Sequence, residues 1–358
     1  MTLYQAISQL FIFGFEGREP SQTFEAFLHE CNPGGLILFS RNVGSPREVA
    51  ALTAALHAAA PTPLFIAIDQ EGGRVARLGP PFTQWPSPSA VGAVGSVKLT
   101  YALGEAIAKE LLAVGINMNL APVLDVLTNP ANPVMAGRSF GADPQMVAQL
   151  GTAFFWGHRD IGVIAVGKHF PGHGDTAVDS HLALPIVPHE LARLLAVELA
   201  PFIEVIGEGI PALMTAHLLV PALDPERPAT LSRPILTDLL RGRMRFSGLV
   251  LSDDLLMQGI ADSTPPGEAA VRFLEAGGDL ILISEDEAAQ REALAVVAQA
   301  VERGRLSEAR VQESRDRIAT AKAHYARRTT ALADDAIRQV VGCDAHRRLA
   351  DLLQAKTI

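Results

Sequence analysis

Short apolar runs alternate with amphipathic segments along most of the chain. Each run is bounded by glycine, proline or polar residues, which is typical of a strand that is buried on both faces. We predict strands at residues 10–15, 35–39, 63–69, 117–123, 163–169, 212–218, 248–253 and 280–284.

The segments between these runs place apolar residues at helical spacing. We predict helices at residues 45–60, 99–114, 143–160, 188–206, 232–241, 267–276 and 287–303. Because strands that alternate with helices form a parallel sheet covered on both faces, the fold class is α/β. Eight such units match a closed (β/α)8 barrel, the TIM barrel, and a doubly wound open sheet is the alternative.

Polar residues end most of the predicted strands. A closed barrel brings all of its strand ends to one mouth, whereas an open sheet gathers those at a switch point. The strand-end residues therefore favour the barrel: Asp69, Asp125, His169, His217, Asp253 and Ser284.

Two connections, residues 70–96 and 124–144, are longer than ordinary loops and are expected to wall a pocket. Beyond the eighth unit, residues 306–327 and 331–353 have helical patterns. Because no linker separates them from the barrel, we predict one domain over residues 1–358. Its barrel would span about 8–305 and its flanking helices 306–358.

The 358-residue chain is 48% hydrophobic and 19% charged, with a net charge of −9. It can bury a large core, and its negative charge argues against nucleic-acid and anionic-membrane partners. We expect a small carbohydrate or other small polar partner. Cys31 and Cys343 are too few for a disulfide framework and lack the neighbours of a zinc site. The oligomeric state is left open.

The N-terminal fifteen residues lack a basic region and a small-residue cleavage site, and are interpreted as a first strand. No apolar run approaches the roughly 20 residues that span a bilayer. The expected location is therefore the cytoplasm.

Residues 167–184 concentrate chemical groups directly after a predicted strand. The sequence Phe-Pro-Gly-His-Gly within this segment continues neither strand nor helix, so the groups are expected on a loop. They are Lys168, His169, His173, Asp175, Asp179 and His181.

Two further patterns predict acid–base chemistry. Asp253 and Asp254 follow an apolar strand, where a carboxylate suits nucleophilic or general-base work; a turn cap is the alternative for Asp254. In Asp179-Ser180-His181 the carboxylate can orient the imidazole as a proton donor. Taken alone, this second pattern also fits two solvated loop residues.

Several residues are candidates for binding a hydroxylated ligand. Asp69 can accept hydrogen bonds while Arg77 donates, and a local Glu71–Arg74 ion pair is the competing structural role for this segment. Lys168 and His169 end a strand whose side chains alternate in direction, so we expect one of the two to point inward. Arg138 lies on the second long loop.

Five segments occur in the order Asp-Gln-Glu-Gly-Gly-Arg-Val-x-Arg, Gly-Arg-Ser-Phe-Gly, Lys-His-Phe-Pro-Gly-His-Gly-Asp-Thr-x-x-Asp-Ser-His, Met-Thr-Ala-His and Ser-Asp-Asp-Leu. Together they resemble the bacterial β-N-acetylhexosaminidases of glycoside hydrolase family 3. The resemblance implies a TIM barrel without a second α/β domain, and no metal or other cofactor. It also implies that Asp253 is the nucleophile and His181 the acid/base, with Asp179 as its partner. The implied sugar-binding residues are Asp69, Arg77, Arg138, Lys168 and His169.

The resemblance further implies retaining cleavage of terminal β-linked N-acetylglucosamine, on muropeptides in peptidoglycan recycling, with a mobile loop around His181. Other activities stay open, namely β-glucosidase, β-xylosidase and phosphorolytic cleavage. A metal-dependent hydrolase is a rival because of His169, His173, His181 and His217, although His-x3-His on a glycine-rich loop lacks helical ligand geometry. A sugar-binding barrel without activity is the other rival.

Overall fold

The computed structural model describes residues 2–180, 182–326 and 332–355. Each of the eight apolar runs coincides with a strand of one parallel sheet to within a few residues, and a small antiparallel hairpin follows the third of them. In chain order the strands are β1 Phe11–Phe13, β2 Gly35–Leu38, β3 Phe65–Ile68, β4 Gln70–Gly72, β5 Val75–Ala76, β6 Met118–Asn119, β7 Ile164–Phe170, β8 Ala212–Thr215, β9 Leu249–Leu251 and β10 Ile281–Ile283.

The sheet closes on itself. Its strand order is β10-β1-β2-β3-β6-β7-β8-β9, so the first and last strands of the chain are neighbours. The two ends of that order meet through a parallel bridge between Leu251 and Leu280, where the Ser252 N–H donates to the Leu280 carbonyl at 2.9 Å. The prediction of a (β/α)8 barrel is therefore confirmed over the open sheet.

Helices surround the barrel and connect its strands. They are α1 Leu3–Ser8, α2 Gln22–Cys31, α3 Pro46–Ala59, α4 Pro88–Val94, α5 Val97–Ala113, α6 Pro144–Ile161, α7 Leu191–Ala196, α8 Ala200–Gly207, a π-helix Pro234–Arg243, α9 Gln258–Ala261, α10 Pro266–Ala276, α11 Glu287–Glu302, α12 Glu308–Tyr325, α13 Asp334–Val340 and α14 Asp344–Ala355. Their starts follow capping chemistry: at α3 the Ser45 side chain and Glu48 bond reciprocally to each other's backbone N–H groups.

Two predicted helices are wrong as single elements. Residues 188–206 form α7 and α8, because Pro201 near the start of α8 has no N–H to continue a helix from α7. The described part of residues 331–353 divides into α13 and α14 around Gly342, whose φ of 60° lies in the left-handed region. The prediction also omitted α1 and α2, and the first residues form a helix before β1.

The last two helices pack against the barrel wall. Glu110 on α5 is buried and accepts hydrogen bonds from the Gly342 N–H at 2.9 Å and from His346 Nδ1 at 2.8 Å. It also accepts from the backbone N–H and hydroxyl of Thr83, at 3.1 and 2.6 Å. One carboxylate thus joins the C-terminal helices to the first long connection.

Within the described residues, no helix has both the length and the apolar character needed to cross a bilayer.

Candidate active site

The carboxyl ends of the barrel strands surround a cavity of about 360 Å³. Both long connections contribute to its wall, as the sequence predicts. The cavity is lined by Ile37, Phe39, Asp69, Val75, Arg77, Leu120, Val134, Met135, Arg138, Lys168, His169, His173, Ser180, Met214, Asp253, Asp254, Met257, Leu282, Ser284 and Glu285.

An ion network forms one side of this cavity. Lys168 Nζ lies 2.6 Å from Asp69 Oδ1 and 2.7 Å from Glu71 Oε1. Arg138 donates to both oxygens of Glu71, at 2.9 and 2.7 Å, and Arg77 Nη2 lies 3.3 Å from Asp69 Oδ2. Two carboxylates and three cations therefore hold one another in fixed positions.

The network keeps its members charged despite burial. Burial by itself would raise the pKa of Asp69, but Lys168 and Arg77 outweigh it and lower that pKa to about 2. Burial likewise opposes the charged form of Lys168, yet the carboxylates of Asp69 and Glu71 raise the lysine pKa above its ordinary value. At neutral pH the wall thus presents ammonium and guanidinium donors beside carboxylate acceptors.

The alternative role for this segment, a local Glu71–Arg74 ion pair, is not what the structure shows. Arg74 is exposed and donates to the backbone carbonyl of Val134, whereas Glu71 is buried and paired with Arg138 and Lys168. A buried carboxylate requires partners that are buried with it, and the neighbouring arginine in sequence does not reach that environment.

Both Lys168 and His169 line the cavity, so the expectation that one of them points inward is also wrong. The pairing of β7 with β8 shifts register between Gly167 and Phe170. Such an irregularity breaks the alternation of side chains that a regular strand imposes.

Asp253 lies on the cavity wall at the end of β9. The backbone N–H of Asp254 donates to its Oδ1 at 2.9 Å. Burial would raise the pKa of Asp253, but the nearby His217 and His169, that hydrogen bond and Lys168 outweigh it and lower the pKa. The carboxylate is consequently ionised at neutral pH, as a nucleophile or general base requires.

Asp254 has a different environment. It accepts a hydrogen bond from the Leu256 N–H at 3.2 Å, which fits the turn-capping alternative, and another from the Ser284 hydroxyl. Burial raises the pKa of Asp254 to about 6, against the effect of these hydrogen bonds. As the pH falls below neutral, Asp254 thus takes up a proton while the adjacent Asp253 stays ionised.

The histidines at the mouth have separate hydrogen-bonding partners. His217 Nε2 donates to the Asp254 carbonyl at 2.9 Å, and its Nδ1 lies 2.8 Å from the Thr230 hydroxyl. His173 bonds through its two ring nitrogens to Thr176 and Ser180, at 2.7 and 3.0 Å. Across residues 2–180, 182–326 and 332–355, no three His, Cys, Asp or Glu side chains are grouped as metal ligands.

The loop after β7 is braced against the second long connection. Thr128 donates to Asp175 at 2.6 Å, and the Asn132 amide donates to the His173 carbonyl at 2.8 Å. A Cβ at Gly174 would lie 1.9 Å from the Val126 carbonyl oxygen, so this close approach requires glycine.

The predicted proton-transfer pair lies further along this loop. Asp179 is half-buried, and its backbone carbonyl accepts from the N–H groups of Leu182 and Ala183 at 2.9 and 3.1 Å. His181 lies outside the described residues. The cavity therefore brings together six predicted site residues, namely Asp69, Arg77, Arg138, Lys168, His169 and Asp253.

Sequence reasoning missed the roles of Glu71 and Asp125. Asp125 is fully buried and accepts from His169 Nδ1 at 2.7 Å and from the His173 N–H at 2.6 Å. Its position at a predicted strand end was a usable signal. The sequence signal for Glu71 is weaker, because the two cations that pair with it, Arg138 and Lys168, lie far along the chain.

A TIM barrel with a sugar-sized cavity, an ionised strand-end carboxylate and paired donors and acceptors has the features of a glycosidase. The model of the glycosyl hydrolase family 3 N-terminal domain matches residues 2–321. The chain belongs to this family.

Curated relatives carry names that agree with this membership. A beta-hexosaminidase of Alkalilimnicola ehrlichii is 42% identical over 278 residues, covering 76% of this chain and 79% of that protein. Beta-hexosaminidase A of Pseudoalteromonas piscicida is 39% identical over 344 residues, covering 88% of this chain and 57% of that protein. The chain thus spans just over half of the second relative.

Solved structures give the same family. A family 3 beta-N-acetylglucosaminidase from Paenibacillus sp. superposes with a TM-score of 0.95 at 43% identity, covering 100% of this chain and 69% of that chain. A Neisseria gonorrhoeae protein in complex with N-trifluoroacetyl-D-glucosamine superposes with a TM-score of 0.82 at 29% identity, covering 98% of both chains.

Proposed function

We propose that this protein is a retaining β-N-acetylhexosaminidase that releases terminal β-linked N-acetylglucosamine. The observation that carries the proposal is the ionised, half-buried carboxylate of Asp253 in a cavity walled by Asp69, Lys168 and Arg138. At about 360 Å³ the cavity is near the lower end of the range for small-molecule sites, which suits one sugar ring.

In the proposed reaction Asp253 attacks the anomeric carbon, and the bond to the glycosidic oxygen breaks. His181, as imidazolium and oriented by Asp179, gives its proton to the departing oxygen. Neutral His181 then takes a proton from water, which attacks the glycosyl-enzyme ester and restores the Asp253 carboxylate. Two displacements at the same carbon give net retention.

The remaining candidates would bind the sugar. Lys168 and Arg138 donate hydrogen bonds to hydroxyl oxygens, and Asp69 accepts hydroxyl protons with Arg77 holding its second oxygen. His169 adds a ring nitrogen from the next position of β7. These roles support binding before the reaction and orientation during it.

Asp253→Asn tests the nucleophile. We expect kcat on an aryl N-acetyl-β-glucosaminide to fall on the order of 10³-fold or more while the variant stays folded. His181→Gln should lose less on an aryl substrate, because an activated leaving group needs little proton donation. An Asp253→Asn variant with full turnover, or an inverted product by NMR, would contradict the mechanism.

Comparing aryl N-acetylglucosaminide, glucoside and xyloside, with and without phosphate, tests the substrate and the acceptor. Preference for the N-acetylated substrate and insensitivity to phosphate would support the proposal. A sugar phosphate product would instead indicate phosphorolysis. Peptidoglycan fragments as natural substrates and the cytoplasm as location belong to the same proposal, and muropeptide digestion and cell fractionation test them.

A further inference from the structure

The carboxylate of Asp125 accepts hydrogen bonds from both ends of one turn. Its Oδ2 lies 2.7 Å from His169 Nδ1, and its Oδ1 accepts the backbone N–H of His173 at 2.6 Å. The backbone N–H of His169 lies 3.3 Å from both oxygens. One buried side chain therefore holds the turn that connects β7 to the loop carrying Asp179.

Asp125 acts in this geometry as a pure acceptor. Burial would raise its pKa, but His169, His173 and their hydrogen bonds outweigh this effect and lower the pKa. An ionised carboxylate has no proton to donate, so the hydrogen between Asp125 and His169 belongs to the imidazole Nδ1. In the neutral imidazole the other nitrogen, Nε2, then carries a lone pair.

We propose that Asp125 is a positioning residue that fixes the Nδ1–H tautomer of His169 and anchors the loop that follows β7. The inference rests on the proposed function and deepens it, because it assigns His169 as an acceptor for a substrate hydroxyl. Lys168 and Arg138 beside it can only donate. A hydroxyl that accepts from one of these cations can then donate its own proton to His169 Nε2.

The anchoring extends from Asp125 towards the proton-transfer pair. The backbone N–H of His173 donates to the Asp125 carboxylate, and the ring Nε2 of His173 lies 3.0 Å from the hydroxyl of Ser180. Ser180 stands between Asp179 and His181, and its carbonyl accepts the Gly259 N–H at 3.0 Å. Asp125 is thus connected through two hydrogen bonds to the residue between the members of the predicted pair.

Asp125→Asn tests the assignment with little change of shape. A single amide oxygen cannot accept from every N–H that the carboxylate binds, and an amide NH2 facing His169 Nδ1 selects the Nε2–H tautomer. We expect kcat/KM to fall on the order of 10²-fold or more, with a lower kcat and a higher KM. Nitrogen-15 NMR of histidine-labelled protein should show that His169 changes from the Nδ1–H tautomer in the wild type to the Nε2–H tautomer in the variant.

Glu110→Gln is the matched control. Glu110 is also a buried carboxylate that accepts from a histidine Nδ1 and from backbone N–H groups, but it lies on α5 and is not part of the cavity wall. We expect this variant to lose stability while kcat and KM stay within about twofold of wild type. A purely structural role of Asp125 would give the same result in both variants.

The wild-type protein provides a test that does not depend on folding of a variant. Its His169 signals, assigned by their loss in His169→Gln, should show the Nδ1–H tautomer. An Nε2–H tautomer there, or a folded Asp125→Asn protein with wild-type kcat and KM, would overturn the inference. Failure of the wild type to cleave N-acetylglucosaminides would reject the proposed function and leave the tautomer result readable.

Discussion

Two buried lysines lie at opposite ends of this barrel. Lys168 at the mouth lies between the carboxylates of Asp69 and Glu71. Lys322 of α12 lies at the floor, beside the amino ends of the strands, where its Nζ donates to Gln9 Oε1 at 2.8 Å and stands 5.5 Å from the Phe65 ring. Among the described residues, no carboxylate offsets the burial of Lys322.

The two lysines are both buried, but their pKa values shift in opposite directions. Counter-charges raise the pKa of Lys168, whereas burial lowers the pKa of Lys322 to about 7. The difference shows that burial alone does not determine the charge of a lysine. At the mouth two carboxylates keep the lysine charged, while at the floor the lysine packs mainly as an apolar stem beside a cavity of about 450 Å³.

The largest effect in this comparison is expected for Lys168→Met. Removing the ammonium leaves Asp69 and Glu71 with less compensation in a buried site, so unfolding free energy should fall by about 3 kcal/mol. We also expect kcat/KM to fall by about 10³-fold, because a ligand donor is lost and Asp69 shifts. Urea unfolding and steady-state kinetics measure the two effects. A Lys168→Met variant as active and as stable as the wild type would show that the charge of Lys168 matters no more than that of Lys322.

Glu71→Gln should act through the cations that it holds. An amide cannot balance Lys168 and Arg138, so both side chains lose orientation and the remaining charges repel. We expect KM to rise by about 30-fold with a smaller change in kcat. Equal losses in kcat and kcat/KM, with KM unchanged, would indicate a role specific to the transition state.

Lys322→Met should stabilise the protein at neutral pH. In the wild type the unfolded lysine binds its proton up to about pH 10.4, whereas the folded one releases it near pH 7, so stability rises with pH between these values. The proton-linked gain from methionine should be about 4 kcal/mol at pH 7 and fall below about 1 kcal/mol at pH 10. Urea unfolding at both pH values measures it, and kcat/KM should stay within about twofold.

Asp254 offers the smallest test, a carboxylate at the mouth that behaves as Lys322 does at the floor. Its folded pKa of about 6 is above the unfolded value, so this group makes stability fall as pH rises from about 4 to 6. Asp254→Asn should lack that component, which is worth about 2 kcal/mol between pH 4.5 and 7. Urea unfolding at pH 4.5 and 7 measures this component. An equal change in unfolding free energy between the two pH values in wild type and variant would contradict the raised pKa of Asp254.

Much of the fold was predictable because its signals are local. Seven of the eight barrel strands lie within the predicted apolar runs, and β7 extends one residue beyond its run. The caps at Ser45 and Asp143 agree with predicted helix starts. The failures have local causes too, such as Pro201 within a helical pattern. The register shift at Lys168 and His169 was not predictable, because it depends on the neighbouring strand.

The sequence by itself determined the alternation of strands and helices, the polar residues at strand ends and the family to which the motifs belong. These properties follow from hydrophobic spacing and short segments. Only the tertiary structure decided which charges pair. Glu71 binds Arg138 across 67 positions, and Asp125 binds His169 across 44, because the barrel brings these buried residues within hydrogen-bond distance of each other.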